Sequence, residues 1–326
     1  ALAVAVSGGA DSMALMKAAA DFGKQNKNRV VVLTVDHGLR SESAAEARYV
    51  AQWAEKLGVE SEILVWRGEK PKTGVEQAAR EHRYALLFDA CRRLKIENLL
   101  LGHHKRDQAE TFLMRRARGS GAVGLAGMSA VRSFAFGRML RPFLGIEPSE
   151  LRAFARENGL NWVEDPTNAS TRFERGRLRQ TATSAELEEA FRQTLVYGKK
   201  RRETEKQTAA FYARFLTLSP MGYAVLEQDA FLTDCPVLPY ALGEILRVVA
   251  NVPYAPEKTA VESLVSRLKS GFCGCTLGGC RIAPLARRRV LIWREERALP
   301  PPAAFDETGF AYWGGFAVFG NGANMR

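Results

Sequence analysis

Ser7-Gly8-Gly9-Ala10-Asp11-Ser12 follows directly on six small or apolar residues, Ala1 to Val6. Paired glycines reach backbone angles closed to other residues and bare their amides, while Ser7 and Ser12 add hydroxyls. Met13 to Ala20 then reads as helix, so an anion held in the turn faces a row of N–H groups and the positive end of a helix dipole. Residues of these types in this order suit a nucleotide's phosphates. The lysine of G-x-x-x-x-G-K-[ST], which takes the β- and γ-phosphates, has no counterpart here. Transfer of a terminal phosphoryl group is therefore disfavoured.

A second constellation is Leu101 to Thr111, LGHHKRDQAET, where Asp107 and Glu110 lie three apart and share a helix face. Two such carboxylates can hold magnesium, neutralise a cationic amine or act as general base. Acidic residues in a first helical turn also complement the dipole without any chemistry. His103 and His104 lack a third ligand at metal spacing, so no zinc site is expected. Arg80, Arg83 and Tyr84 in AAREHRY form one basic stripe suited to phosphate or nucleotide. Arg115 and Arg118 lead into a glycine-rich stretch ending at Met128, which reads as a mobile loop able to close over substrate. Asp165-Pro-Thr-Asn168 precedes Arg172, Arg175, Arg177 and Arg179, a pairing of turn and arginines that suits an RNA backbone.

These residues need a scaffold that brings them together. Strand patterns at Ala1 to Val6, Val30 to Asp36, Ser61 to Trp66 and Asn98 to Gly102 alternate with helical patterns at Ser12 to Gln25, Ala44 to Leu57 and Val75 to Leu94. Such alternation predicts an α/β, doubly wound parallel sheet, whose ligands bind beyond the strand carboxyl ends at the switch point. SGGADS, Asp36-His-Gly-Leu-Arg40 and LGHHKRD each follow a strand, so three strand ends should converge. Ser184 to Phe215 reads as one long charged helix, a connector over 183–215 between a catalytic domain (1–182) and a smaller α+β domain (216–326). In that second domain, helices are expected over Ala230 to Ala250 and Lys258 to Lys269, strands from Cys275 to Trp293, and a last strand over Phe310 to Phe319.

At 326 residues the chain exceeds one compact core of usual size. Its 47 basic and 36 acidic residues give a formal net charge of +11, which favours a polyanionic partner. Five cysteines, with no C-x-x-C and no paired spacing, fit neither a disulfide framework nor a zinc site and point to a reducing cytoplasm. No apolar run approaches the roughly 18 residues of a membrane span, and no signal-peptide pattern occurs.

SGGADS resembles the PP-loop of N-type ATP pyrophosphatases, which attack the α-phosphorus of ATP and release pyrophosphate. In order, SGGADS, DHGLR, AAREHRY, LGHHKRDQAET, RARGSGAVGLAGM, RPFL and DPTN with RFERGRLR resemble the tRNA(Ile)-lysidine synthetases, densely over Ala1 to Arg179. TLGGCRI at Thr276 to Ile282 extends the likeness more weakly. Arg106 stands where many members carry an acidic residue, and Gly176 where many carry asparagine. The resemblance implies an adenine nucleotide alpha hydrolase-like fold and ATP-dependent adenylation of C2 of the wobble cytidine in the CAU anticodon of tRNA(Ile). The amine of free L-lysine then displaces AMP. It further implies Ser7, Gly8, Gly9 and Ser12 on the ATP phosphates, and Asp11 and Asp36 near nucleotide and Mg2+. By the same likeness, Asp107 and Glu110, with His104 beside them, position or deprotonate lysine. The tRNA candidates are Arg115, Arg118, Arg172, Arg175, Arg177 and Arg179, with Arg80 and Arg83 as contacts to tRNA or phosphate. Homodimerisation is compatible with these residues but not specified by them. Three rivals remain: a PP-loop tRNA thiolase, which needs cysteines to carry sulfur; a small-molecule adenylating ligase; and a non-catalytic RNA-binding protein on a relict nucleotide fold.

Overall fold

The computed structural model describes residues 1–68, 70–71, 73–134, 136–164, 174–271, 274–295, 310–313 and 316–319. They form two compact units, Ala1–Arg201 and Arg202–Arg326, the division falling inside one long helix.

The first unit runs β1 (Leu2–Ala5), α1 (Ala10–Asn26), β2 (Val30–Asp36), α2 (Ser43–Lys56), β3 (Glu60–Val65), α3 (Val75–Arg93), β4 (Asn98–Leu101) and α4 (Lys105–Ala117). It continues with α5 (Ala122–Leu125), β5 (Val131–Ser133), β6 (Arg138–Leu140), α6 (Pro148–Glu157), α7 (Glu174–Thr181) and the start of α8 (Ser184–Phe215). The sheet order is β3-β2-β1-β4-β6-β5, parallel except for the last pair. Side chains alternate along β1, so Val4 packs with Met13, Leu15 and Met16 of α1 on one face, and Ala3 with Leu87 and Cys91 of α3 on the other. Covering both faces is what lets strands with so few polar residues exist. Each fully buried Leu or Met contributes about 1.5–3 kcal/mol. The chain winds outward from β1 to β3, then restarts on the other side of β1 with β4. The switch point therefore lies between the carboxyl ends of β1 and β4.

The second unit contains the end of α8, β7 (Leu216–Leu218), β8 (Ala224–Glu227), α9 (Leu238–Ala250), α10 (Lys258–Ser270), β9 (Cys275–Leu277), β10 (Cys280–Leu285), β11 (Arg289–Arg294), β12 (Phe310–Trp313) and β13 (Phe316–Phe319). An antiparallel sheet, β7-β8-β11-β10-β9, packs Leu226, Ile282, Val290 and Ile292 against Leu242, Ile245 and Leu246 of α9.

Several expectations need correction. The helix expected from Ala230 begins only at Leu238, after a 3-10 turn over Gln228–Phe231. Pro236 and Pro239 explain this, because proline donates no N–H and is tolerated only in the first turn of a helix, where Pro239 sits. The single strand expected over Phe310 to Phe319 is two antiparallel strands, Phe310 opposite Phe319 and Trp313 opposite Phe316, with two glycines between them in sequence. Strands β5, β6 and β7, three residues each, were not foreseen. Among the described residues no helix is long and apolar enough to cross a membrane.

Candidate active site

The turn after β1 is closed by its own serines. Ser12 Oγ donates to the Gly9 carbonyl (2.9 Å), accepts from the Ser7 amide (3.2 Å) and lies 3.3 Å from Ser7 Oγ. Gly8 has φ +88, a conformation that strains any residue with a Cβ. Gly9 caps α1 without a side chain of its own, so its amide and those of the first helical turn are left for an anion. Asp11, in that first turn, has Oδ2 3.5 Å from His104 Nε2, while Oδ1 is buried without a protein partner.

All three strand ends open into one cleft of about 630 Å³. Ser7, Gly9, Asp11 and Ser12 line it from β1, His37, Arg40 and Ser43 from β2, and Gly102 and His103 from β4. The approach is close: a Cβ on Gly102 would meet the Asp11 carbonyl oxygen at 3.2 Å. Asp36 accepts from the Ser43 hydroxyl and from the Gly38 amide (2.9 Å), so its carboxylate folds back onto its own loop. The Ser43 bond is the main reason its carboxyl sits below the usual range. Arg83 and Tyr84 of α3 complete one wall, and Arg80 lies over the Tyr84 ring.

His104 caps α4. Its Nδ1 accepts the Asp107 amide (3.4 Å), and its own amide donates to the Asp107 carboxylate (3.1 Å). Burial opposes charge on this imidazole, but Asp11, Asp107 and Glu110 outweigh it and raise its pKa. Asp107 thus serves a capping role, as the dipole-complementing alternative anticipates.

Glu110 shares that helix face but is fully buried, with Arg179 Nε at 3.0 Å, Arg106 Nε at 3.3 Å and Arg175 Nε at 3.4 Å. Arg179 also lies 3.7 Å from Asp107, and Arg175 donates to Thr111 Oγ1 at 3.2 Å. Arginines read as RNA contacts therefore cover the carboxylates read as the lysine site, and neither carboxylate is in the cleft wall. Arg106, the departure from the family pattern, joins this network as a third guanidinium. Arg118 pairs with Glu174, and Arg177 is exposed on α7. Arg172 and Asp165 to Asn168 lie outside the described residues, as does Cys273.

The glycine-rich stretch expected to move is pinned. Arg115 Nη1 donates to the carbonyls of Gly124 (2.7 Å) and Gly127 (3.1 Å), Arg201 donates to Gly127 (3.2 Å), and the Gln108 side chain both donates to and accepts from Met128 (2.8 and 2.6 Å). Carbonyls that a tight turn leaves unpaired need such donors. Arg115 is thus committed to the loop rather than presented to RNA. Residues that sequence reading quoted without a role, His37, Arg40 and His103, prove to be cleft walls. Their only signal was position after a strand.

A parallel sheet with a glycine-serine turn at its switch point, and no lysine for terminal phosphates, is the build of a PP-loop nucleotide-binding domain. Residues 1–186 match the PP-loop domain family. The fold is shared with a U34-tRNA thiolase from Methanococcus maripaludis with its [4Fe-4S] cluster (TM-score 0.51, 18% identity, 61% of this chain and 71% of that one). Over 316 residues the chain is 34% identical to the tRNA(Ile)-lysidine synthase of Mesorhizobium japonicum, covering 93% of this chain and 69% of the relative. With that of Methylobacterium nodulans it shares 39% over 290 residues, 85% of each. The chain belongs to the tRNA(Ile)-lysidine synthase family, ATP-using ligases that form a carbon–nitrogen bond. The thiolase reading is not favoured, because the curated relatives matched over most of the chain are lysidine synthases; of the described cysteines, Cys91 and Cys280 are also buried.

Proposed function

We propose that this chain adenylates the C2 oxygen of the wobble cytidine in the CAU anticodon of tRNA(Ile), and that the lysine amine then attacks C2. The first step forms a C2–O–P bond and releases pyrophosphate. The second forms a C–N bond, expels AMP and leaves the amine proton to a base. The convergence of three strand ends on one cleft, with an uncapped helix N-terminus at its floor, carries this reading.

The amides around Gly8 and Gly9 hold the phosphates, and the two serines hold the turn in shape. Asp11 suits magnesium, because its Oδ1 is buried and unpartnered at the cleft. Among the described residues no cluster of three metal-ligating side chains exists, so the ion would rest on Asp11 and the nucleotide itself. When bound, it would draw charge from the phosphates as pyrophosphate leaves. Asp36 fits the role of loop organiser better than that of ligand, given its bonds to Ser43 and Gly38. Asp107 and Glu110 remain the candidates for the lysine ammonium, which then has to compete with the guanidiniums of Arg175 and Arg179. The free thiols and the net charge of +11 support a cytoplasmic, RNA-bound protein.

Pyrophosphate release from ATP, with tRNA(Ile) transcript present and lysine omitted, tests the first step. Asp11→Asn is expected to slow it by about a hundredfold or more while RNA binding persists. A near-normal rate would contradict the assignment.

A further inference from the structure

Tyr84 stands in the cleft wall with Arg83 and His103, and guanidinium groups from α3 and from the residue after β6 lie close to it. Arg80 and Arg83 of α3 lie 5.2 and 5.5 Å from its ring centroid. Arg141, the residue after β6, bears on the Tyr84 hydroxyl, as does Arg83. Arg132 of β5 adds a fourth positive charge next to Arg141. Among the described residues, none of these four arginines forms an ion pair with a carboxylate.

Arg141 is the most constrained of them. It is 6% exposed, its Nη1 donates to the Ser129 carbonyl at 2.8 Å, and its Nε is buried without a protein partner. The neighbouring His103 imidazole is neutral at pH 7, and its Nδ1 is likewise buried and unpartnered. Arg80 and Arg132 are exposed, but Arg83 is half-buried and Arg141 buried, and like charges held together away from water destabilise a free protein unless an anion joins them. The planar guanidinium fork matches a phosphate's oxygens, and a tyrosine hydroxyl can donate to the same group. The nucleotide's phosphates already have the amides at Gly8 and Gly9, across the switch point. A second anion is therefore called for.

We propose that Arg83 and the Tyr84 hydroxyl, with the buried Arg141 guanidinium behind them, form a phosphate site at the His103 end of the cleft, which takes a backbone phosphodiester of the RNA beside the nucleotide being adenylated. Only the identity of the RNA rests on the functional reading above. The site anchors the strand so that the target base, rather than a neighbour, reaches the nucleotide. Arg132, on the exposed edge strand, strengthens the local field without touching the phosphate.

Equilibrium binding of a fluorescent tRNA(Ile) transcript, and separately of ATP, to the full chain tests this with Arg141→Gln and Arg132→Gln. Arg141→Gln is expected to weaken RNA binding about tenfold or more and to lower the slope of log affinity against log salt by about one. Its affinity for ATP should stay at the wild-type value. Arg132→Gln should lower the salt slope in the same direction by less, and its exposed position lets it decide the matter if Arg141→Gln does not fold. RNA affinity and slope unchanged in the folded variants would overturn the proposal. Loss of ATP affinity with RNA binding intact would also overturn it, by assigning the site to the nucleotide. Because binding is read without turnover, a wild-type chain that binds RNA at this site yet makes no lysidine would defeat the functional reading and leave the site standing.

Discussion

Glu110 holds the densest charge network described in the first unit, a buried carboxylate among the guanidiniums of Arg106, Arg175 and Arg179. Removing its charge takes a buried carboxylate away from all three arginines, and breaking a fully buried pair costs about 3–5 kcal/mol. These guanidiniums are about a third exposed, so Glu110→Gln should cost less, about 2–3 kcal/mol, read as a lower denaturant midpoint. A midpoint within error of wild type would show that the network contributes nothing. His103 gives a pH signature. Its folded pKa is pushed down to about 4, by burial first and then by Arg141, Arg80 and Arg175 against the pull of Asp107. Unfolded, it protonates near 6.5. Between those values the unfolded state binds the extra proton, so stability is full above pH 6.5 and falls as the pH drops toward 4. Wild type should lose on the order of 2–3 kcal/mol more than His103→Asn over that window. Parallel stability profiles would exclude a buried neutral His103.

At the scale of elements, the site depends on how tightly β4 approaches the turn after β1. A Cβ at Gly102 would press on the Asp11 backbone, 3.2 Å from its carbonyl oxygen and 3.4 Å from its carbonyl carbon. Gly102→Ala should therefore raise KM for ATP severalfold with little change in RNA affinity, and unchanged ATP kinetics would show that the turn yields freely. Much of this scaffold was legible. Val30–Asp36 and Ser184–Phe215 coincide with the bounds read from sequence, because a run rich in β-branched residues and a long charged alanine-rich stretch leave no competing structure. Strands β5 and β6 were not legible, since three residues cannot show a period of two and their pairing is set by partners elsewhere in the sheet. The phosphate turn could be read because its chemistry is local. The covering of Glu110 could not, because Arg179 is 69 residues away and no nearby pattern announces it. The same holds for Arg201, which pins a loop 74 residues upstream.

For the whole molecule, each unit has its own core: one on either face of the parallel sheet, the other beneath α9. Every residue of the cleft lies in the first unit, which is where the proposed adenylation is assigned. The net charge of +11 belongs to the chain as a whole and matches a substrate far larger than the cleft. On the proposed reading, this cleft joins lysine to a cytidine in RNA at the expense of ATP. ATP-dependent incorporation of labelled lysine into a tRNA(Ile) transcript bearing CAU, with a methionine tRNA bearing the same anticodon as control, measures it most directly. Label is expected in the isoleucine transcript alone, and lost when ATP is omitted. Pyrophosphate release with no lysine incorporated would contradict it and assign the adenylated RNA to a different nucleophile.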